Sequence, residues 1–206
     1  AASLRPVLGW AMAIRKRLVG AVLLGSSLLG TVLPSTPLLS PALLAPRPLR
    51  AAELDGQTWF TSPPWKVEFT NYWWYVMLAG VEYYFTVTLS EQAGAGLGGL
   101  VIRQTRGADR DFPFFTDRTR AFVGRPRREG AAISVQASFD QATRTMTVRF
   151  PQPPQPGQTV TVALLPVHNP TWSDTYMFGV QALPAGPNPV PASLGFVTMP
   201  IYSLRF

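Results

Sequence analysis

"VEYYFTVTL", Val81 to Leu89, decides the fold class. Val81, Tyr83, Phe85, Val87 and Leu89 share one side of this stretch, and Glu82, Tyr84, Thr86 and Thr88 the other. Successive side chains of an extended chain point to opposite faces, so this period of two describes a strand with one face against a core. The pattern recurs downstream. "RTMTVRF" turns Met146, Val148 and Phe150 inward, "QTVTVALL" turns Val160, Val162 and Leu164, and "TYMFGVQAL" turns Tyr176, Phe178, Val180 and Ala182. "GLVIRQT" and "AAISVQASF" read as strands too. Helical periodicity is hard to find in this part of the chain.

Turn signals lie between these runs. Asp140–Thr143 reads as a hairpin turn joining two strands. "PQPPQPG", Pro151 to Gly157, is a loop, because proline cannot donate to a ladder. "AGAGLGG", Ala93 to Gly99, reads as a flexible approach to a strand. It has neither the lysine of a P-loop nor the βαβ setting of a dinucleotide site. Short strands separated by turns predict an all-β, mostly antiparallel β-sandwich-like domain.

The N-terminal part is different. Met12 opens "MAIRKRLVGAVLLGSSLLGTVL", with Arg15, Lys16 and Arg17 before an apolar run from Leu18 to Leu33. This is the layout of a secretory signal. "SPA" at Ser40–Ala42 suits cleavage, and an uncleaved hydrophobic anchor is the alternative. The expected organisation is upstream residues and signal peptide over 1–42 with Met12 as the start, a linker over 43–57, and one β-rich domain over 58–206. The expected location is the periplasm or cell surface.

This division also explains the charge. The formal net charge is +7, but six of the basic residues and none of the acids precede Glu53. From Glu53 onward there are 12 basic and 11 acidic residues. A near-neutral domain lacks the electrostatic term that dominates nucleic-acid affinity, so no nucleic-acid partner is expected. The chain has no cysteine and one histidine, which removes disulfides and makes a structural zinc site implausible. Asp109 and Asp111 are the closest acidic pair for calcium, but Arg106 and Arg110 flank them and oppose a cation. No metal and no cofactor is expected.

Two surfaces qualify as binding candidates. Eleven aromatic residues fall between Trp59 and Phe85, most of them expected in the core. Trp73, Trp74 and Tyr75 are consecutive, so a strand cannot bury all three on one face. At least one should point outward, where it could meet a glycan, a membrane interface or another envelope protein. The second candidate is the stretch from Arg103 to Glu129, with eight arginines and interleaved phenylalanines. Its arginines are either solvated and paired with nearby acids, or they form a patch for an anionic partner such as a lipid headgroup or acidic glycan. Arg125, Arg127 and Arg128 are the candidates there.

Catalytic readings are weaker. "VHNPTWSDTYMFGV", Val167 to Val180, holds His168, Ser173 and Asp174. A nucleophilic serine needs a base within hydrogen-bond reach and a third group orienting that base. No Gly-x-Ser-x-Gly elbow occurs, and Asn169-Pro170 is a turn signal. Ser173 and Asp174 therefore read as turn residues bonding nearby amides. Glu68 and Glu82, in aromatic surroundings, are the carboxylates a glycoside hydrolase would need. No catalytic residue is assigned; the alternative is a hydrolase of an envelope glycan or ester.

"YYFTVTLSEQAGAGLGGLVIRQ", "TMTVRFPQPPQPGQTVTVALLPVHNP", "YMFGVQALPAG" and "LGFVTMPIYSL" together resemble the cyanobacterial domain-of-unknown-function 2808 family over roughly Val81 to Phe206. The resemblance implies an exported cyanobacterial protein of unresolved function and carries no catalytic residues to transfer. "NYWWYVMLAG", Asn71 to Gly80, departs from the pattern. Residues and resemblance converge on an exported, non-catalytic binding or structural module of the cell envelope.

Overall fold

The computed structural model describes residues 52–110 and 112–203. The signal-peptide reading, the cleavage site and Asp111 lie outside the described residues. The strands, in chain order, are β1 (Ala52–Leu54), β2 (Gln57–Trp59), β3 (Val67–Thr70), β4 (Tyr83–Thr88), β5 (Leu97–Arg106), β6 (Arg120–Arg125), β7 (Arg128–Ile133), β8 (Gln136–Asp140), β9 (Thr145–Arg149), β10 (Thr159–Leu164), β11 (Asp174–Pro184) and β12 (Ala192–Ile201). One 3-10 turn, Thr116–Arg118, precedes β6.

Two five-stranded sheets form the domain, ordered β3-β4-β10-β6-β7 and β12-β11-β5-β9-β8, while β1 and β2 pair as a separate hairpin. All of these pairings are antiparallel. The all-β sandwich expected from the sequence is the fold observed. The inward sets are those that the alternation predicts. Tyr83, Phe85 and Val87 of β4 and Val160, Val162 and Leu164 of β10 face Met146 and Val148 of β9 and Tyr176, Phe178, Val180 and Ala182 of β11, all buried. Removing each large apolar side chain from water stabilises the fold by about 1.5–3 kcal/mol. Without disulfides, this burial carries the domain.

Four local features differ from the simple reading. "AAISVQASF" is not one strand: β7 ends at Ile133 in one sheet and β8 begins at Gln136 in the other. Alternation cannot reveal this, because both halves keep a period of two while changing partners. The glycine run that leads into β5 is packed tightly, not loose. A Cβ on Gly96 would stand 2.7 Å from the Pro154 carbonyl oxygen, and one on Gly98 would stand 2.6 Å from that of Pro184. Tyr84, Thr86, Thr161 and Ala163, outward on β4 and β10, are also buried. Finally, the Arg103–Glu129 stretch contributes to the core: Phe112 is 1% exposed and packs with Tyr83, Phe114 and Tyr176.

The sandwich has two distinct ends. Residues 71–82, 107–119 and 165–173 connect strands at one end, where Asp174 pairs with Ile201. The chain enters at the other: Thr58 N–H donates to the Asn188 carbonyl at 3.3 Å, and Thr61 N–H to that of Ala93 at 2.9 Å. β11 runs its 11 residues between the two, about 35 Å at ~3.3 Å per residue.

Candidate functional site

Asn169 organises the first end. It is fully buried, and its side chain makes three hydrogen bonds. Its Oδ1 accepts from the Tyr83 hydroxyl at 2.5 Å, and its Nδ2 donates to the carbonyls of Trp73 and Tyr75 at 2.9 and 2.8 Å. Its backbone N–H donates to the Leu78 carbonyl at 2.8 Å. One amide thus gathers the irregular stretch after β3 by its backbone. Burial pushes the Tyr83 hydroxyl far above its ordinary pKa, so it stays a donor. Tyr202 continues the clasp, its N–H donating to the Trp74 carbonyl at 2.7 Å while its carbonyl accepts from Val76 N–H at 3.0 Å.

This backbone displays an aromatic surface. Trp73, Tyr75, Met77, Leu78, Trp172 and Tyr202 are exposed there, Trp73 by 58% and Trp172 by 64%. Trp74 differs: it is half-buried and packs against the core. Met77 has φ +58°, a left-handed conformation disfavoured for a side-chain-bearing residue, and its N–H donates to the Pro170 carbonyl at 3.2 Å. The platform is therefore held in shape by hydrogen bonds that its own side chains do not make. Scattered surface apolar residues are ordinary, whereas these six share one end of the sandwich.

The arginine candidates lie on the outer face of the β3–β7 sheet. Arg125 binds both oxygens of Glu68, across β4 and β10. Arg127 lies over the Tyr72 ring at 4.0 Å, and Tyr72 meets Tyr84 edge-on with centroids 5.9 Å apart. Arg120 forks onto Glu82 at 2.9 Å and onto Glu129 at 2.7 Å. Arg128 is exposed on β7, opposite Arg125. The structure thus joins Arg127 to Tyr72, the neighbour of Trp73, and places Arg125 in an ion pair. These contacts explain the buried outward residues: Tyr72 covers Tyr84 and Phe122, and the Thr86 and Thr161 hydroxyls bond each other at 2.8 Å.

The paired carboxylates are poor general acids. Hydrogen bonds from Arg125 hold Glu68 below its ordinary pKa, and those from Arg120 do the same for Glu82 against the opposing effect of burial. A glycosidase acid needs the reverse shift. Burial, with the Glu82 hydrogen bond, pushes the Tyr84 hydroxyl up to about 12. Glu82 predicts a pH effect. Its folded pKa lies below the ordinary 4.5, so its stabilisation is fully present above that value and is lost as pH falls through the folded value. Unfolding free energies from urea titrations between pH 6 and 3 are expected to fall less for Glu82→Gln than for the unsubstituted protein, by about 1 kcal/mol at this partly exposed network. Parallel acid limbs would refute the assignment.

The triad residues do not assemble as a triad. His168 Nδ1 lies 2.6 Å from the carbonyl of Asn169. Asp174 accepts from the N–H groups of Ala108 and Thr175 at 2.8 and 2.7 Å, the expected turn chemistry. Asp109, half of the calcium pair, accepts from Thr171 N–H at 2.8 Å. Among the described residues no group of three or more His, Cys, Asp or Glu could hold a metal ion. The residue that sequence reasoning missed is Asn169, visible there only as half of an Asn-Pro turn.

Residues 57–201 match the family described as "Protein of unknown function (DUF2808)". No curated protein matches the chain. Among solved structures, the collagen-binding domain from a Staphylococcus aureus adhesin is similar over 69% of this chain and 99% of its own, at 11% identity and a TM-score of 0.40. The collagen-binding subdomain of the Enterococcus faecalis surface protein ACE is similar over 68% of this chain and 98% of its own, at 10% identity and a TM-score of 0.38. The Corynebacterium diphtheriae major pilin SpaA is similar over 68% of this chain and 38% of its own, at 12% identity and a TM-score of 0.41.

Proposed function

The chain belongs to the DUF2808 family of proteins of unknown function, and from that premise we propose that its domain is a non-catalytic binding module of the cell envelope. In this reading it is exported behind its N-terminal apolar segment, in keeping with the cyanobacterial setting the resemblance implies, and docks another envelope protein through the aromatic end. The observation that carries the reading is the exposed set Trp73, Tyr75, Met77, Leu78, Trp172 and Tyr202 on a backbone clasped by Asn169. Trp, Tyr and Met are enriched at the centres of protein interfaces, where charged residues are depleted. The pre-formed backbone lowers the ordering cost of binding.

A protein partner suits this surface better than the alternatives. A glycan needs convergent polar groups, and these six exposed side chains offer only two phenols and two indole N–H groups. The hydrolase alternative has least support, because Glu68 and Glu82 are both committed to arginines.

The test is capture from detergent-solubilised envelope extract by the immobilised full chain. The double substitution Trp73→Ala, Trp172→Ala is expected to reduce capture at least ~10-fold, with a stability change within about 0.5 kcal/mol. Equal capture by the folded double variant would sink the proposal. Binding to anionic vesicles that depends on the same two residues would replace the protein partner with a membrane.

A further inference from the structure

The outer face of the second sheet carries a groove apart from the aromatic end. Its middle is a transverse row: Phe196 of β12 is paired with Gly179 of β11, Gly179 with Arg103 of β5, and Arg103 with Thr145 of β9. Gly179 has no side chain where its neighbours do, so the row dips between an aromatic ring and an arginine. A Cβ at Gly179 would lie 3.2 Å from Phe196 Cε1 and 3.6 Å from Thr105 Cγ2, so the ring leans over the glycine and a side chain there would press against it. The next row adds Ser193 and Gln181, which pair with each other. The cavity measures about 420 Å³, within the range of small-molecule sites.

The lining has a specific chemistry. Phe196 is 65% exposed on the outer face of the edge strand β12, where burial gives it little. Arg103, unlike Arg120 and Arg125, has no ion-pair partner among the described residues, and no acidic residue lines the groove. Gln181, Ser193 and Thr105 supply neutral donors and acceptors. A flat ring with a negative face attracts the polarised C–H face of a sugar. A guanidinium beside it donates to both oxygens of a carboxylate in a two-pronged geometry.

We propose that this groove is a binding site for an acidic saccharide. One uronate residue stacks on Phe196 over Gly179, sets its carboxylate on Arg103, and bonds its hydroxyls to Gln181, Ser193 and Thr105. The site is independent of the protein-docking end and stands or falls separately from it.

Calorimetric titration of the full chain with galacturonate and mannuronate tetramers, each alongside its methyl ester, tests this. At least one acid tetramer should bind in the range of about 0.1–1 mM, and its methyl ester at least ~10-fold more weakly. Phe196→Ala should weaken the acid tetramer ~10-fold or more. Arg103→Gln should remove the preference for acid over ester, and Gly179→Val should abolish binding by displacing the Phe196 ring from its place over the glycine. Because Phe196 and Arg103 are exposed, both variants should keep the unsubstituted urea midpoint, and Trp73→Ala, Trp172→Ala should bind the tetramer normally. Any of three results would overturn the proposal: no binding of either acid tetramer at ~10 mM, equal binding of acid and ester, or affinity unchanged in both Phe196→Ala and Arg103→Gln.

Discussion

Asn169→Ala is expected to destabilise the domain by about 3–5 kcal/mol, more than any surface substitution in this protein. The side chain removed is fully buried and makes three hydrogen bonds. Alanine would leave the Tyr83 hydroxyl and the Trp73 and Tyr75 carbonyls without those partners. Each buried polar group left unpaired costs about 1–3 kcal/mol, and a cavity adds to this. The backbone N–H to Leu78 survives the substitution, so the stretch after β3 should loosen without detaching. Equilibrium urea unfolding measures the loss. Tyr83→Phe removes only the phenol oxygen and should cost about 1–2 kcal/mol. In the double variant the two losses should fall short of additivity by ~1 kcal/mol, because both delete the same bond. A loss below about 1 kcal/mol for Asn169→Ala, or full additivity, would mean that the amide does not clasp this end. The same variant should also impair envelope capture, since the residues that display Trp73 and Tyr75 would no longer be held.

The clasp also shows where the sequence stops being legible. Period-two alternation identifies inward residues from Tyr83 to Phe178 because each strand reports its own faces, and strand faces need no long-range information. The hairpin at Asp140 is equally local: its carboxylate accepts from Ala142 N–H at 2.9 Å and from the Thr143 hydroxyl at 2.9 Å. Asn169 has its side-chain partners 86 to 96 residues earlier. Nothing near Asn169 in sequence distinguishes it from an ordinary residue before proline. Arg120 and Arg125 are similar, since Glu82 and Glu68 lie 38 and 57 residues away. Alternation along "AAISVQASF" hides the passage between sheets for the same reason: pairing is a property of two strands, and the sequence displays one at a time. Among Trp73, Trp74 and Tyr75, the reasoning that one must face out holds in outcome. The division, with Trp74 inward and its neighbours outward, comes from an irregular loop and not from a strand.

Phe112→Ala carries the second large expected effect, again about 3–5 kcal/mol. Phe112 lies in a stretch that its arginines mark as surface, yet it is 1% exposed. Its ring stands 5.8 Å from Tyr83, 4.9 Å from Phe114 and 6.4 Å from Tyr176. It therefore fills the space between the sheets at the aromatic end, bridging β4 and β11 from a connection that belongs to neither. Truncation removes that packing and leaves a void lined by aromatic rings, which are too rigid to close over it. Phe115, three residues on, is the control. It is only half-buried and meets the Arg118 guanidinium at 4.7 Å, so Phe115→Ala should cost about 1 kcal/mol or less. Urea midpoints at neutral pH separate the two outcomes. If the variants are equally stable, the 107–119 connection is surface decoration, as its charge suggests. If Phe112→Ala alone is severely destabilised, the arginine-rich segment acts as a lid of the core, anchored by Phe112 with its charges outward. Phe112 contacts Tyr83, the residue that donates to Asn169, so loss of either side chain should loosen the same end. The combined effect of Phe112→Ala and Asn169→Ala should accordingly be less than the sum of the two.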